Sequence, residues 1–531
     1  MPASSSALRP YAGSFGPTEA AHLLRRATLG GCTRANVEAA VEMGLAGSVA
    51  RLLESRGLGE PICVIDDYPT VRLGDPWRNV PRVGDRDEGW RRDSVREWMF
   101  SNLLGAGFSA TGRMWMFWIN HFGCQTADPF RLCLDYLEKI YYNAFGNFRD
   151  LVEEITVDGL MLRFLNGKRN TAEAPNENYA RELLELFTVG KGPQRGTGDY
   201  TNYTEDDVRE IARALTGWRE VNPEFEDNGE EPGSTFEAER HDLGDKQLSA
   251  AFGGAVIRDG GAEEYKRVVE VIFDQPQALH YICRKLYRWF VDYHIDERVE
   301  REVIEPLAQV MRAANFDVGV TVRTLLQSEH FFDPVHRGAL AKSPLDHLAD
   351  VLVGFGGALP PRTETSRHSH SINGLYWKLR EQGMSLDTPD SVAGYKPYHQ
   401  EPNFNRLWIN PPSLNLRAEI VSMVGQYGID LGDGTQLRLD LLGYIDTFTN
   451  PYDPNDLLSE LAERHLAVGI PYDQVRVLKE FLIPDLPDWE WTVEYGLYRD
   501  NPDDMGQRRA VERRVIDVWR ALCQSAEFAL Y

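Results

Sequence analysis

The chain has 531 residues, 42% of them hydrophobic and 11% aromatic, which is ample for a large multi-lobed core and excludes a largely disordered protein. Its 57 basic and 81 acidic side chains leave a formal charge of −24. Such a field repels nucleic acid and anionic membranes, and suits solubility, a cationic partner or bound metal ions.

The six cysteines are scattered, with no C-x-x-C pair, and read as free thiols in a reducing compartment. No charged-then-apolar leader opens the chain, and no apolar run reaches the roughly 18 residues of a membrane span. The expectation is a cytoplasmic protein, with export alongside a partner as the alternative.

Residues 1–16 read as a flexible arm. Pro17 and the Gly30-Gly31 pair bracket a helix over 18–29, and another is expected over 34–55. The Pro-, Gly- and Asp-rich stretch 56–90 reads as loop. Residues 91–122 form an aromatic helical region whose end, Met114 to Phe122, is too apolar for a surface helix. Asn120 and His121 are therefore polar groups in a buried segment and need partners. Helices follow over 132–145, 148–156 and 160–165.

Two capped helices come next. Asn176 stands at an N-cap position, and Gly190 ends that helix. Along it Glu177, Asn178, Arg181, Glu182, Glu185 and Thr188 fall within about 140° of one another, opposite Leu183, Leu184 and Phe187. The stripe either meets water or lines an internal polar site, and its place just after the greasy segment ending in His121 favours the inward reading. Thr204 with Asp207 makes the capping box of the second helix, which accounts for the acidic run Glu205-Asp206-Asp207.

An irregular acidic segment, 219–262, carries His241-Asp-Leu-Gly-Asp-Lys246. Helices are expected over 263–290, 297–314, 320–332, 343–355, 414–426, 453–468, 472–482 and 508–528. Strand signals are poor, with 437–449 the best of a weak set. The expected fold class is mainly α, with long irregular loops and little strand. Its parts are a main helical domain over 17–355, a loop-rich connector over 356–413 and a C-terminal helical lobe over 414–531.

Several motifs together resemble one family: Leu23-Leu-Arg-Arg-Ala-Thr-Leu-Gly30, Phe117-Trp-Ile-Asn-His-Phe122, Asn176-Glu-Asn-Tyr-Ala-Arg-Glu-Leu-Leu-Glu-Leu-Phe-Thr-Val-Gly190, Ala212-Arg-Ala-Leu-Thr-Gly-Trp218 and the His241–Lys246 stretch. The family is the large bacterial one catalogued as domain of unknown function 1800, and the likeness runs from about residue 20 to the end. It implies no assigned activity. Members are often encoded beside alkaline-phosphatase/sulfatase-like proteins, which implies a partner of that kind, and many look exported. Where the family usually carries Gly-Trp, this chain has Gly394-Tyr395.

The residues suggest two main sites. His121, Glu182, Glu185 and His241 would suit Zn²⁺, Mn²⁺ or non-haem iron, because carboxylates at i, i+3 on a helix can converge. Against this, no E-x-x-H or H-E-x-x-H signature is present, and His121 can simply hydrogen-bond a backbone carbonyl. In the second cluster Asp242 would orient His241 for acid–base work, while Lys246 and Arg213 hold an anion, as Arg181 does in the first. The same stretch is also good turn chemistry. His368 and His370 form an H-x-H in an expected loop. A non-covalent haem on His121 stays open, since one axial histidine suffices. No dinucleotide, Walker A, nucleophile-elbow or haem-attachment motif is present, so a nucleotide cofactor is not expected. The reading is a metal-dependent enzyme for a small molecule or peptide, at a buried polar pocket lined by helix 176–190. The alternative is a scaffold stiffened by those charges.

Overall fold

A computed structural model describes residues 6–531 except 67, 69, 85–86, 126–128 and 197–198. Helix dominates it, and the strands among the described residues make four two-stranded antiparallel ladders. The elements that position the sites are α1 (Pro17–Ala27), α2 (Asp87–Leu104), α3 (Thr111–Phe122), α4 (Glu177–Glu182), α5 (Glu205–Ala214), α6 (Glu264–Asp274), α7 (Pro276–Phe290), α8 (Pro344–Leu352), α9 (Thr365–Glu381) and α10 (Met505–Cys523). One hydrophobic cluster runs through them from Leu8 to Phe528. All six cysteines are free, and no helix of the described residues is long and apolar enough to cross a membrane.

Helix α3 is the hub. Every one of its residues is buried, as its apolar sequence demands, and Gly123 at φ +52° ends it. Its tryptophans satisfy their indole N–H groups on distant carbonyls, Trp115 on Leu137 at 2.9 Å and Trp118 on Ala144 at 3.1 Å. At its start Arg113 meets Asp346 of α8 at 2.7 Å in a buried ion pair. At its end the Asn120 Oδ1 accepts the Tyr395 N–H at 2.9 Å, so this short polar residue ties the late loop to the core.

The capping box of α5 forms as the sequence expects. Thr204 Oγ1 accepts from Asp207 N at 3.2 Å, and Asp207 Oδ2 accepts from Thr204 N at 2.8 Å. Asp207 further accepts the Ser249 N–H and hydroxyl, each at 2.7 Å, so the cap also docks the 249 loop.

Four expectations change. Residues 6–16, read as part of a flexible arm, pack on the core: Leu8 is buried, Pro10 pairs with Ser328, and the Tyr11 ring lies tilted against Phe332. The helix expected over 263–290 is two helices, because Pro276 cannot donate to the preceding turn and starts α7 instead. The supposed connector contains the 17-residue α9. The strand candidate 437–449 holds the helix Leu441–Ile445, with only Gln436–Leu437 in a ladder.

Candidate functional site

The charged stripe of α4 lies along the seam with α5. Arg181 forks across Glu205, 2.7 Å to each oxygen, and reaches Glu177 at 3.0 Å. These side chains stay about a third exposed: 33% for Arg181 and 38% for each glutamate. Glu185 takes the Lys191 amine at 2.6 Å and the Tyr203 hydroxyl at 3.2 Å. Partial burial and the neighbouring Glu185 raise the Glu182 carboxyl above its usual range. The stripe is therefore a half-solvated joint between two helices, and the inward reading gives way. The apolar face of Leu183, Leu184 and Phe187 is the one that turns to the core.

The internal polar chemistry sits at the C-terminal end of that helix. Its last turn is π-helical over Leu183–Thr188, and Gly190 at φ +69° stops it where a Cβ would press on the Tyr281 ring at 2.9 Å. Carbonyls of a final turn lack partners within the helix. Here His121 Nε2 meets the Phe187 carbonyl at 3.0 Å, and Lys285 Nζ on α7 donates to the Leu186 carbonyl at 3.2 Å. A carbonyl only accepts, so Nε2 carries the proton of His121 and Nδ1 is left with its lone pair. That lone pair accepts from Lys285 Nζ at 3.1 Å. Burial, then the nearby Lys285, push the ring's pKa well below its ordinary value, so His121 is neutral with both nitrogens engaged. Neither nitrogen is open to a metal or a haem in this arrangement.

Lys285 opens onto a narrow pocket lined by Phe117, Asn120, Lys285, Arg288, Trp289, Tyr293, Ala393, Pro397, Tyr398, His399, Phe404 and Asn405. Lys285 and Arg288 stand at i, i+3 on α7, which puts them on one face. Neither has an ion pair or hydrogen bond to a carboxylate among the described residues. Lys285 touches His121, the Leu186 carbonyl and the face of Tyr281; Arg288 touches the Tyr293 carbonyl at 3.3 Å and the face of Phe404 at 4.6 Å. Burial, with Arg288 nearby, brings the Lys285 amine down to about 7. Burial also lowers Arg288 and His399. Two further polar atoms on the wall, Asn405 Oδ1 and Trp289 Nε1, are buried without a partner. Aromatic walls carrying a few unpaired polar groups recur in small-molecule sites, but the cavity here measures about 20 Å³, little more than a water, so a larger ligand enters only by moving its walls.

The second expected cluster is a knot of buried charge. In the backbone after α5, His241 lies in extended conformation, so the ring and the side chain of Asp242 leave in opposite directions. The Thr216 carbonyl lies 2.9 Å from His241 Nδ1, and Nε2 faces Glu264 of α6 at 3.0 Å. Lys246 sits on the other oxygen of Glu264 at 2.6 Å, and both side chains are fully buried. Asp242 instead receives the fork of Arg213, at 2.8 and 3.0 Å, and this holds its carboxyl below the usual range. It does not orient His241, and Arg213, also paired with Glu210 at 2.6 Å, is committed to carboxylates and not to an outside anion.

The structure does not gather His121, Glu182, Glu185 and His241. Among the described residues, the group whose donor atoms lie close enough to share a cation, within 4.8 Å, is His241, Asp259 and Glu264. It keeps one of the four, and Lys246 already balances the charge of Glu264. His368 and His370 lie on α9, about 200° apart around its axis. His368 turns inward to Glu97 at 3.0 Å, and His370 outward to Asp430 at 3.4 Å, so the H-x-H does not converge.

The sequence reading missed Lys285, Arg288, Asn405 and Glu264. A signal existed in Arg284-Lys-Leu-Tyr-Arg-Trp-Phe290, where basic residues sit inside an aromatic run. Among the described residues, only Arg284 of its three cations finds an acid, Glu300 at 2.5 Å.

No curated protein and no solved structure matches the chain. One family model, described as "Protein of unknown function (DUF1800)", matches residues 22–528. That span takes in α3, the π-turn, α7 and the knot around Glu264, and the chain belongs to this family.

Proposed function

We propose that the protein is an enzyme acting on a small anionic molecule in the pocket at the C-terminal end of α7. The observation that carries this is the pair Lys285 and Arg288, two cations facing one pocket with no carboxylate at ion-pair distance from either among the described residues, Glu401 acting on Arg288 from farther off, in a chain of charge −24. Leaving one buried cation uncompensated is costly. A bound anion would offset both. Arg288 is suited to hold a carboxylate, phosphate or sulfate oxygen pair through its planar fork. Lys285, balanced near neutrality, is suited to give or take a proton. No residue of helix 176–190 lines this pocket; Lys285 links the two through the Leu186 carbonyl. A metal, where one is used, has His241, Asp259 and Glu264 as its donor set, outside the lining of this pocket.

Titration calorimetry of the full chain with acetate, phosphate and sulfate tests the proposal. One charge-assisted hydrogen bond contributes about 2 kcal/mol, so Arg288→Gln and Lys285→Met are each expected to weaken the preferred anion at least tenfold. The groups facing Nζ are His121, Tyr281, Arg288 and His399, none of them acidic. Affinity is therefore expected to fall as pH rises through about 7, where the ammonium is lost. Equal affinity in wild type and both variants, with unchanged melting temperatures, overturns the assignment.

The scaffold reading has support in the other half of the motif set. Arg181, Arg213 and Lys246 are all held by carboxylates, as expected of groups that stiffen a helical core.

A further inference from the structure

We infer that Lys285 forms an imine with the ligand of the proposed anion site, a step that rests on that site. The substrate class is then a carbonyl compound bearing an anionic group one or two carbons away.

The geometry supports this from three sides. The first is the set of partners on Nζ. Both are pure acceptors as placed: the Leu186 carbonyl, and His121 Nδ1, whose lone pair follows from the proton on Nε2. A neutral amine has two N–H bonds and one lone pair, and two acceptors account for the two N–H bonds. The lone pair is then left for the fourth tetrahedral direction, and Lys285 is part of the pocket wall. Lys246, by contrast, carries a carboxylate, Glu264 at 2.6 Å.

The second is the setting. The amine lies in a desolvated site beside another cation, Arg288, and that combination brings it down to about 7, so that a large share is unprotonated and nucleophilic near neutral pH. The third is spacing. Arg288 is one helical turn from Lys285 on the same face, so an anion held by its fork sets a carbonyl carbon within reach of Nζ only if charge and carbonyl are close together in the molecule. Asn405 Oδ1 and Trp289 Nε1, both buried and unpaired, remain for the substrate's own polar groups.

The step balances without an oxidant or reductant. Nζ adds to the carbonyl carbon, forming a C–N bond and opening the C=O bond to a carbinolamine. The oxygen then leaves as water with the two hydrogens of the amine, and a C=N bond remains. His121 Nδ1, 3.1 Å from Nζ, is placed to accept one of those hydrogens in passage.

The test is trapping on the full-length protein, with pyruvate as carbonyl acid, lactate as the same acid without the carbonyl, and sodium cyanoborohydride as the trap, followed by peptide mass mapping. Pyruvate is expected to give a reduced adduct on Lys285 in preference to the exposed lysines, and lactate none. Lys285→Arg, which keeps the charge and cannot condense, should lose the adduct. Arg288→Gln should label at least tenfold more slowly with pyruvate, yet as fast as wild type with formaldehyde, which has no anion to hold. Circular dichroism melts of both variants confirm that they fold.

If lactate binds in calorimetry but pyruvate leaves no adduct on Lys285, the imine is overturned while the anion site stands. If neither acid binds and adducts spread evenly over surface lysines, both fall.

Discussion

Glu264→Gln is expected to destabilise the fold by about 3–5 kcal/mol at pH 7, read as a shift of the urea midpoint. Lys246 and Glu264 are both fully buried and 2.6 Å apart, and His241 approaches the second oxygen at 3.0 Å. Removing the charge leaves an ammonium without its counter-ion in a place water does not reach. The amide also turns an N–H₂ toward one of two groups that both need an acceptor. The double variant Glu264→Gln, Lys246→Met is expected to regain part of the loss, because the stranded charge goes with the lysine. A single variant within about 0.5 kcal/mol of wild type would mean that the knot is wetter than the structure shows.

Gly394→Ala is the second large effect, about 2–5 kcal/mol, summed from a left-handed backbone and overpacking. Gly394 has φ +88°, which L side chains rarely adopt. An added Cβ would collide with the Asn120 side-chain oxygen and its backbone carbonyl, and would stand 2.9 Å from Asn120 Cγ. Backbone on that side is the buried end of α3 and has nowhere to go. Asn120 also holds the Tyr395 N–H and lines the pocket beside Lys285, so anion affinity should fall together with stability. Thermal melts with and without the bound anion separate the two losses. Tyr395 itself is fully buried and donates its hydroxyl to the Ser385 carbonyl.

Local chemistry was readable from the sequence, and long-range pairing was not. Thr204 and Asp207 are three residues apart, so their capping box follows from spacing alone. The burial of Met114–Phe122 follows from composition, since a helix apolar on every side has no face to offer water. By contrast, periodicity says that Arg181 lies on a stripe but not what covers it, and Glu205 comes from the next helix. His241 reads as a partner of the adjacent Asp242, yet extended backbone separates neighbours and delivers Glu264, 23 positions on. His121 and Lys285 are 164 positions apart, and only the tertiary fold brings them together. Helix α9 escaped because Ser, His, Asn and Gly have poor helix propensity. Its buried Ile372, Leu375, Tyr376 and Leu379 hold it to the core all the same.

Lys285 is, on this reading of the pocket, a reactive, ligand-facing amine and not a structural cation. Competitive labelling of the folded protein with trace acetic anhydride between pH 5 and 11, resolved by peptide, tests it most directly. Lys285 is expected to reach half its maximal reactivity near pH 7, well below the ordinary lysine value of 10.5, and to be shielded by the anion that binds the pocket. Lys285 titrating with the surface lysines, and labelling equally with and without that anion, would contradict it.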